Sequence, residues 1–179
     1  MKKMTASLVV VAILVLAAVI PALADATITI TGQSLVVVPQ GVSFAGITLD
    51  GTNKPNQAGS TTQWTAKDPT GTGAGWHVTV SATNFANAGG KTIAVEGFDM
   101  KMNAVSKLDE SSNALPSVAP TFDGVFAPLS AAPQQILSAA LDEGMGYYGF
   151  TPDFQLDVPA STYAGDYTST LTVQIVAAP

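Results

Sequence analysis

The sequence predicts an all-β protein built as an antiparallel β-sandwich. Short segments alternate apolar and polar residues, which places one face of each strand in a core and the other in solvent. Clusters of glycine, proline and asparagine separate these segments at the spacing of short antiparallel strands. No segment has the 3.6-residue periodicity of an amphipathic helix. We therefore expect roughly nine strands in an arrangement of the immunoglobulin-like or Greek-key type.

The first predicted strands precede a polar loop. Residues 27–31 read Thr-Ile-Thr-Ile-Thr, the alternation of a half-buried strand, and residues 35–38 predict a second strand. Residues 42–49 predict a third, whose alternation changes phase at an Ala-Gly pair, where a β-bulge fits. Residues 50–61 are polar and rich in turn residues, so they predict a surface loop.

Residues 64–85 predict a strand, a long hairpin connection rich in glycine, and a second strand. On the second strand Trp76 and Val78 share a face, which favours core packing for both, and His77 points to the opposite side. Residues 86–90 predict a turn.

The second half of the chain is less regular. Residues 93–102 predict a long strand whose phase slips at a Glu-Gly pair. Residues 103–133 contain four prolines among small and polar residues and predict one long surface excursion, with a short strand near Val125. Residues 134–141 are ambiguous between a helical turn and a strand, because their apolar residues suit neither period well.

The last strands are clearer. A glycine-rich turn is predicted around Tyr147 and Tyr148. Residues 154–158 alternate without a break, and residues 166–176 predict a long closing strand. Val173 and Ile175 lie on one face of that closing strand.

The N-terminus has the pattern of a secretory signal peptide, residues 1–24. Two lysines precede an apolar run, and Ala22 and Ala24 stand at the positions of a small-x-small cleavage site. A transmembrane anchor is the alternative, but the run is short for a span of about 20 residues. Cleavage leaves residues 25–179, enough for a single domain with a hydrophobic core and with no transmembrane segment after cleavage.

Charge and cysteine content exclude several classes of function. Loss of the two lysines of the leader changes the formal charge from −6 to −8, and the chain has no arginine. Nucleic acids and anionic membranes need clustered basic residues, so neither is an expected partner. Without cysteine the chain can form neither disulfides nor a lipid-modified cysteine. No sortase-type signal ends the chain, so we expect non-covalent attachment at a surface.

No catalytic or metal-binding constellation is visible in the sequence. His77 is the only histidine, without a nucleophile or an orienting acid beside it. Metal sites built from histidine and cysteine are excluded, and the acids are scattered rather than spaced for calcium. The glycines between Gly71 and Gly75 lack the Lys-Ser/Thr of a phosphate loop. We predict no metal, no cofactor and no enzymatic activity.

Aromatic residues are the remaining candidates for ligand contact, because their rings can stack on sugars. Trp64 has only alanine beside it on its face of the strand, and Tyr147 and Tyr148 lie in the glycine-rich turn. These three residues are the predicted ligand-contacting side chains.

The chain resembles the WxL-domain family of secreted surface proteins from Gram-positive-type bacteria, over residues 27–179. Four segments carry the resemblance. The first is Lys67-Asp-Pro-Thr-Gly-Thr-Gly-Ala-Gly-Trp76-His-Val78-Thr-Val80. The others are Gly144-Met-Gly146 with Tyr148, Leu156-Asp-Val-Pro159, and the ending Tyr163-Ala-Gly165 through Leu171-Thr-Val-Gln-Ile175. The first Trp-x-Leu of the family is Trp76-His77-Val78 here. The second is Val173-Gln174-Ile175, without a tryptophan.

The resemblance implies a non-enzymatic protein that attaches non-covalently to the cell wall, with peptidoglycan or another wall polymer as ligand and other surface proteins as partners. Valine in place of the second tryptophan suits a core position better than a sugar-stacking site, so both motifs are predicted to lie inward, on adjacent strands. An alternative function is a structural subunit of a surface layer or filament, assembled by exchange of β-strands between copies.

Overall fold

The computed structural model describes residues 27–178, and the predicted signal peptide lies outside them. The all-β prediction is confirmed: this range holds fifteen short strands, one 3-10 turn at Val95–Gly97 and no α-helix. The strands are β1 Val36–Val38, β2 Ser43–Phe44, β3 Lys54–Ser60, β4 Trp64–Asp68, β5 Trp76–Ala82, β6 Phe85–Ala86, β7 Thr92–Ile93, β8 Phe98–Lys101, β9 Ser106–Lys107, β10 Ser117–Val118, β11 Ala127–Pro128, β12 Gln134–Ala139, β13 Gly146–Phe150, β14 Asp153–Val158 and β15 Leu171–Ala177.

The strands form two layers. Wherever two strands pair in a ladder, they run antiparallel. The first layer contains two sheets, with the orders β1-β4-β13-β9 and β11-β8-β14-β3-β2; the short connections β1 to β2, β3 to β4 and β13 to β14 each lead from one of these sheets to the other. The second layer has the order β10-β12-β5-β15, and the small hairpin β6-β7 follows β5. The strand count exceeds nine in part because the predicted loops 50–61 and 103–133 contain strands, among them β3, β9 and β10.

Aromatic side chains fill the space between the layers. The rings of Trp76 and Tyr148 lie 6.3 Å apart, and those of Phe85 and Phe98 lie 5.1 Å apart. Each pair joins strands of two different sheets, β5 with β13 and β6 with β8. Alternate residues of β5, from Trp76 to Ala82, are buried, as a central strand with one inward face requires.

Several predicted strands are confirmed, namely those at 35–38, 154–158 and the end of the chain. The ambiguous residues 134–141 form β12. Its register against β5 shifts between Gln135 and Leu137, and both Ile136 and Leu137 are buried. This irregularity explains why the apolar residues there fit neither period.

The hairpin predicted for residues 64–85 is wrong. β4 pairs with β1 and β13 in the first layer, whereas β5 pairs with β12 and β15 in the second. The glycine-rich segment between them therefore crosses from one layer to the other. Alternation identifies strands but contains no information about which strands pair.

Three further predictions near the N-terminus are wrong. Residues 27–31 form no strand, and within 42–49 only Ser43–Phe44 is paired. Residues 50–61, predicted as a loop, contain β3, which pairs with β14 through Gly59 and Phe154. Backbone hydrogen bonds hold this polar strand, and only three of its seven residues are even half-buried, so its side chains give no strand pattern.

Residues 93–102 and 103–133 also differ from their predictions. The 3-10 turn at Val95–Gly97 interrupts the predicted long strand at its phase slip. Residues 103–133 are not only a surface excursion, because they supply three two-residue strands and bury Phe122 and Leu129. The short strand expected near Val125 lies at Ala127–Pro128. Within 27–178, no helix has the length and apolar character needed to cross a membrane.

Candidate functional site

Three loops meet at one end of the sandwich, which we call the loop end: residues 69–75, 108–116 and 140–146. The Asp142 amide donates to the Gly73 carbonyl at 2.8 Å. The backbone amide of Asn113 donates to the Met145 carbonyl at 2.8 Å, and its side-chain Nδ2 donates to the Asp142 carbonyl at 2.6 Å. Each loop is thus bonded to another, and the three form one surface.

Trp76 supports the loop end from the core. Its side chain has no solvent exposure, and its Nε1–H donates to the Gly144 carbonyl at 3.0 Å. Tyr148, its aromatic neighbour, is equally buried, with its hydroxyl 3.1 Å from the carbonyl oxygens of Asn113, Ala114 and Met145. Burial and the nearby Asp68 carboxylate raise the pKa of the Tyr148 phenol, which keeps it a donor. The buried pair therefore fixes two of the three loops.

The expectation that Trp64 and Tyr148 contact a ligand is wrong, because neither side chain reaches the surface. Trp64 packs against Phe150 and Phe154, with ring centroids 6.0 and 5.9 Å away, and its Nε1–H donates to Thr61 Oγ1 at 3.1 Å. Tyr148 lies on β13 rather than in a turn, and strand alternation turns it inward.

Tyr147 is turned outward by the same alternation and is half-buried. It stands opposite Lys67 on β4, whose Nζ lies 4.1 Å from the centroid of the tyrosine ring. A depression of about 280 Å³ opens here between β4, β13 and the 108–116 loop. We call it the Tyr147 surface; its lining residues include Lys67, Asp68, Asp109, Ser111, Ser112 and Tyr147.

Hydrogen bonds fix the polar groups of the Tyr147 surface. The Asp109 carboxylate accepts from the hydroxyl and the amide of Ser111, and these bonds hold its pKa below the usual range. Asp109 is exposed and therefore ionised at neutral pH, with oxygen lone pairs still open to a ligand. The Ser112 hydroxyl accepts from the Tyr147 amide at 2.9 Å, which ties the loop to the strand.

Sequence analysis did not identify Lys67, Asp109 or Ser111 as site residues. Lys67 stands in the motif that carries the family resemblance, so its position was a signal that could have been used. Asp109 and Ser111 come from a loop far away in sequence. Only the pairing of β13 with β9 brings that loop beside Tyr147, and no local pattern predicts this pairing.

The two Trp-x-Leu-like motifs lie on paired neighbouring strands, where Val78 stands opposite Ile175 and Val80 opposite Val173. Trp76 and Val78 are fully buried, whereas Val173 and Ile175 are half-buried against the core. None of the four therefore forms an exposed stacking surface for a sugar.

His77 and the acids give no sign of a reactive centre. The cross-strand neighbours of His77 are Ser138 and Val176, and neither is an acid that could orient an imidazole. Among residues 27–178, no three histidine or acidic side chains come together as a metal site would require.

Comparison with known proteins gives one family. A family model described as "WxL domain surface cell wall-binding" matches residues 27–179. No curated protein and no solved structure matches the chain significantly. The family match covers most of the chain, including β5 and β15 with both motifs. The chain therefore belongs to the WxL-domain family of cell-surface, cell wall-binding proteins.

Proposed function

We propose that the domain attaches to the cell wall by binding peptidoglycan non-covalently at the Tyr147 surface, without enzymatic activity. The observation that carries this proposal is the convergence of Tyr147, Lys67 and Asp109 in one open depression at the loop end. Family membership supplies the cell wall as the target. The buried Trp76–Tyr148 pair supplies a rigid support, which lowers the entropy lost on binding.

The chemistry of the depression suits a glycan that bears peptides. A tyrosine ring packs against the C–H face of a sugar while its hydroxyl stays in water. The Asp109 carboxylate accepts hydrogen bonds from sugar hydroxyls, and the Lys67 ammonium attracts the carboxylates of stem peptides. The depression is open and shallow, which suits an extended polymer better than a small enclosed ligand.

The same surface is poorly equipped for catalysis. Hydrolysis of a glycosidic bond needs a carboxylic acid that stays protonated, whereas hydrogen bonds lower the pKa of Asp109. His77 is not among the residues that line the depression. These features support binding without turnover.

Tyr147→Ala is expected to weaken binding to purified peptidoglycan by about tenfold, equivalent to about 1.4 kcal/mol. The substitution removes the stacking ring and leaves the backbone bonds of β13 intact, so the fold should persist. Co-sedimentation of residues 25–179 with peptidoglycan measures the fraction bound at each polymer concentration.

Phe126→Ala is the matched control for this experiment. Phe126 is also an aromatic residue beside a lysine, with Lys101 Nζ 4.9 Å from its ring centroid, but it does not line the Tyr147 surface. The Phe126→Ala chain should bind as the unsubstituted chain does. Equal binding by the Tyr147→Ala chain would place the site elsewhere, and no sedimentation above an unrelated protein would exclude peptidoglycan as the ligand.

A further inference from the structure

An apolar cleft opens along one side of the sandwich, between residues 39–49 and residues 162–171. Two adjoining cavities of about 550 and 400 Å³ form it, and both are lined by Phe44, Phe85 and Tyr167. Phe98 and Leu171 line the first cavity, and Ile47 and Leu156 the second. Phe44, Ile47 and Leu171 are partly exposed in the cleft, and the buried core residues Phe85 and Phe98 form its floor.

Both layers end at this cleft with a strand that, within residues 27–178, is paired on one side only. β2 is the last strand of the order β11-β8-β14-β3-β2, and β15 is the last of β10-β12-β5-β15. Residues 45–49, which alternate like a strand, have no ladder partner among residues 27–178. Unpaired backbone beside exposed apolar side chains is the structure that accepts an added strand.

A segment with the properties of such a strand is present in the same chain. Residues 27–31 alternate isoleucine with threonine, yet they pair with nothing in the part of the chain that the structure describes. Ile28 and Ile30 are each 85% exposed, the largest exposure among the large apolar side chains of this range. On an extended strand their side chains project from one face about 7 Å apart, while the threonines face the other way.

We propose that residues 27–31 of one copy occupy the cleft of a second copy as an added β-strand. The two isoleucines then enter the apolar cavities around Phe44 and Phe85. The backbone of residues 27–31 forms hydrogen bonds with the free edge of β2 or β15, and the threonines face solvent. This one contact buries the exposed isoleucines and also covers the open apolar cleft.

Geometry favours a second copy over the same chain. The Gln33 amide donates to the Pro69 carbonyl at 2.9 Å, so residue 33 is anchored at the loop end. The lining of the cleft begins at Pro39, which is six residues after Gln33, or about 20 Å along an extended chain. Residues 27–31 span at most about 17 Å, too short to turn back and fill the cleft of their own chain.

The contact is head-to-tail, because the donor segment leaves near the loop end and the acceptor cleft lies toward the other end. Each copy offers one donor and one acceptor. A head-to-tail contact that does not close into a ring continues as a filament. The expected product is therefore a linear polymer of the surface protein.

Sedimentation velocity of residues 25–179, from about 1 to about 100 µM, tests this proposal. We expect species larger than a dimer that increase with concentration. Ile28→Asp/Ile30→Asp should raise the concentration for half-assembly at least about tenfold, because two carboxylates would enter an apolar cleft. Both positions are exposed in the single chain, so the monomer should remain folded.

The control is Val125→Asp/Leu141→Asp, which makes the same charge change at two other exposed apolar positions, 60% and 73% exposed. It should assemble like the unsubstituted chain. A chain that stays monomeric over the whole range, or an Ile28/Ile30 variant that assembles as readily as the control, would contradict the proposal.

Cross-linking distinguishes exchange between copies from folding back within one chain. The natural sequence has no cysteine, so a Thr29→Cys chain mixed with a Ser43→Cys chain can form the mixed disulfide only between copies. The mixed dimer should exceed by several-fold the dimer from Thr29→Cys with Leu141→Cys, whose exposed cysteine lies at the loop end. Equal yields would show that residues 27–31 do not bind in the cleft.

Discussion

Replacing Trp76 with alanine is expected to lower the free energy of unfolding by roughly 3–5 kcal/mol. The indole has no solvent exposure, contacts Tyr148 across the layers and donates the hydrogen bond that holds Gly144. Its removal leaves a cavity between the layers and an unpaired carbonyl at the loop end. Urea unfolding followed by far-ultraviolet circular dichroism measures the change as a shift in midpoint.

Two companion substitutions separate the causes of this loss. Trp76→Phe keeps an aromatic ring in the core but removes the Nε1–H donor, so a smaller loss of about 1–3 kcal/mol is expected. Tyr163→Ala removes a ring that is 61% exposed and should change stability by no more than about 0.5 kcal/mol. If Trp76→Ala cost no more than Tyr163→Ala, the indole would not be a core support, and a ligand-binding role for the motif would return.

Alternation in the sequence predicts burial well where a strand has neighbours on both sides. β5 lies between β12 and β15, and Trp76 and Val78 are buried while His77 is only half-buried. The same rule holds in β14, where Phe154 and Leu156 are buried. In both strands one face meets the core along the whole length, so the alternation of apolar residues in the sequence matches the alternation of buried residues in the structure.

Alternation fails where the backbone alone holds a strand, or where a strand has no partner. β3 contains Pro55 and Gly59 among polar residues, yet it is a full strand because its backbone pairs with β14. Residues 27–31 alternate cleanly, yet they have no ladder partner among residues 27–178. Both errors have one origin, since pairing depends on contacts that are distant in sequence or that belong to another molecule.

The candidate site was predictable only in part. The glycine-rich surroundings of Tyr147 predict a ligand contact in a turn, and that contact stays a prediction; the structure places Tyr147 on a strand, where alternation turns it outward and buries Tyr148. Lys67 reaches Tyr147 through the register of β4 with β13. Register follows from the packing of the whole sandwich, so the composition of the site could not be read from any one segment.

Gly144→Ala is expected to destabilise the domain by roughly 3–5 kcal/mol, the second large effect we predict. Gly144 has a φ of +69°, a left-handed conformation that disfavours side chains, and an added Cβ would overlap the Ala139 side chain and lie 2.9 Å from Trp76 Nε1. The loop would have to move, which breaks the bond from Trp76 to the Gly144 carbonyl.

Gly90→Ala isolates the backbone part of this effect. Gly90 has nearly the same φ, +72°, but no heavy atom lies within 4 Å of its added Cβ. It should lose only the conformational contribution, about 1–2 kcal/mol. The difference between the two variants in urea midpoint then measures the close packing of Gly144 on Trp76. Equal losses would mean that the loop end yields to the added methyl group, and that Trp76 does not fix the surface on which Tyr147 is proposed to bind the wall.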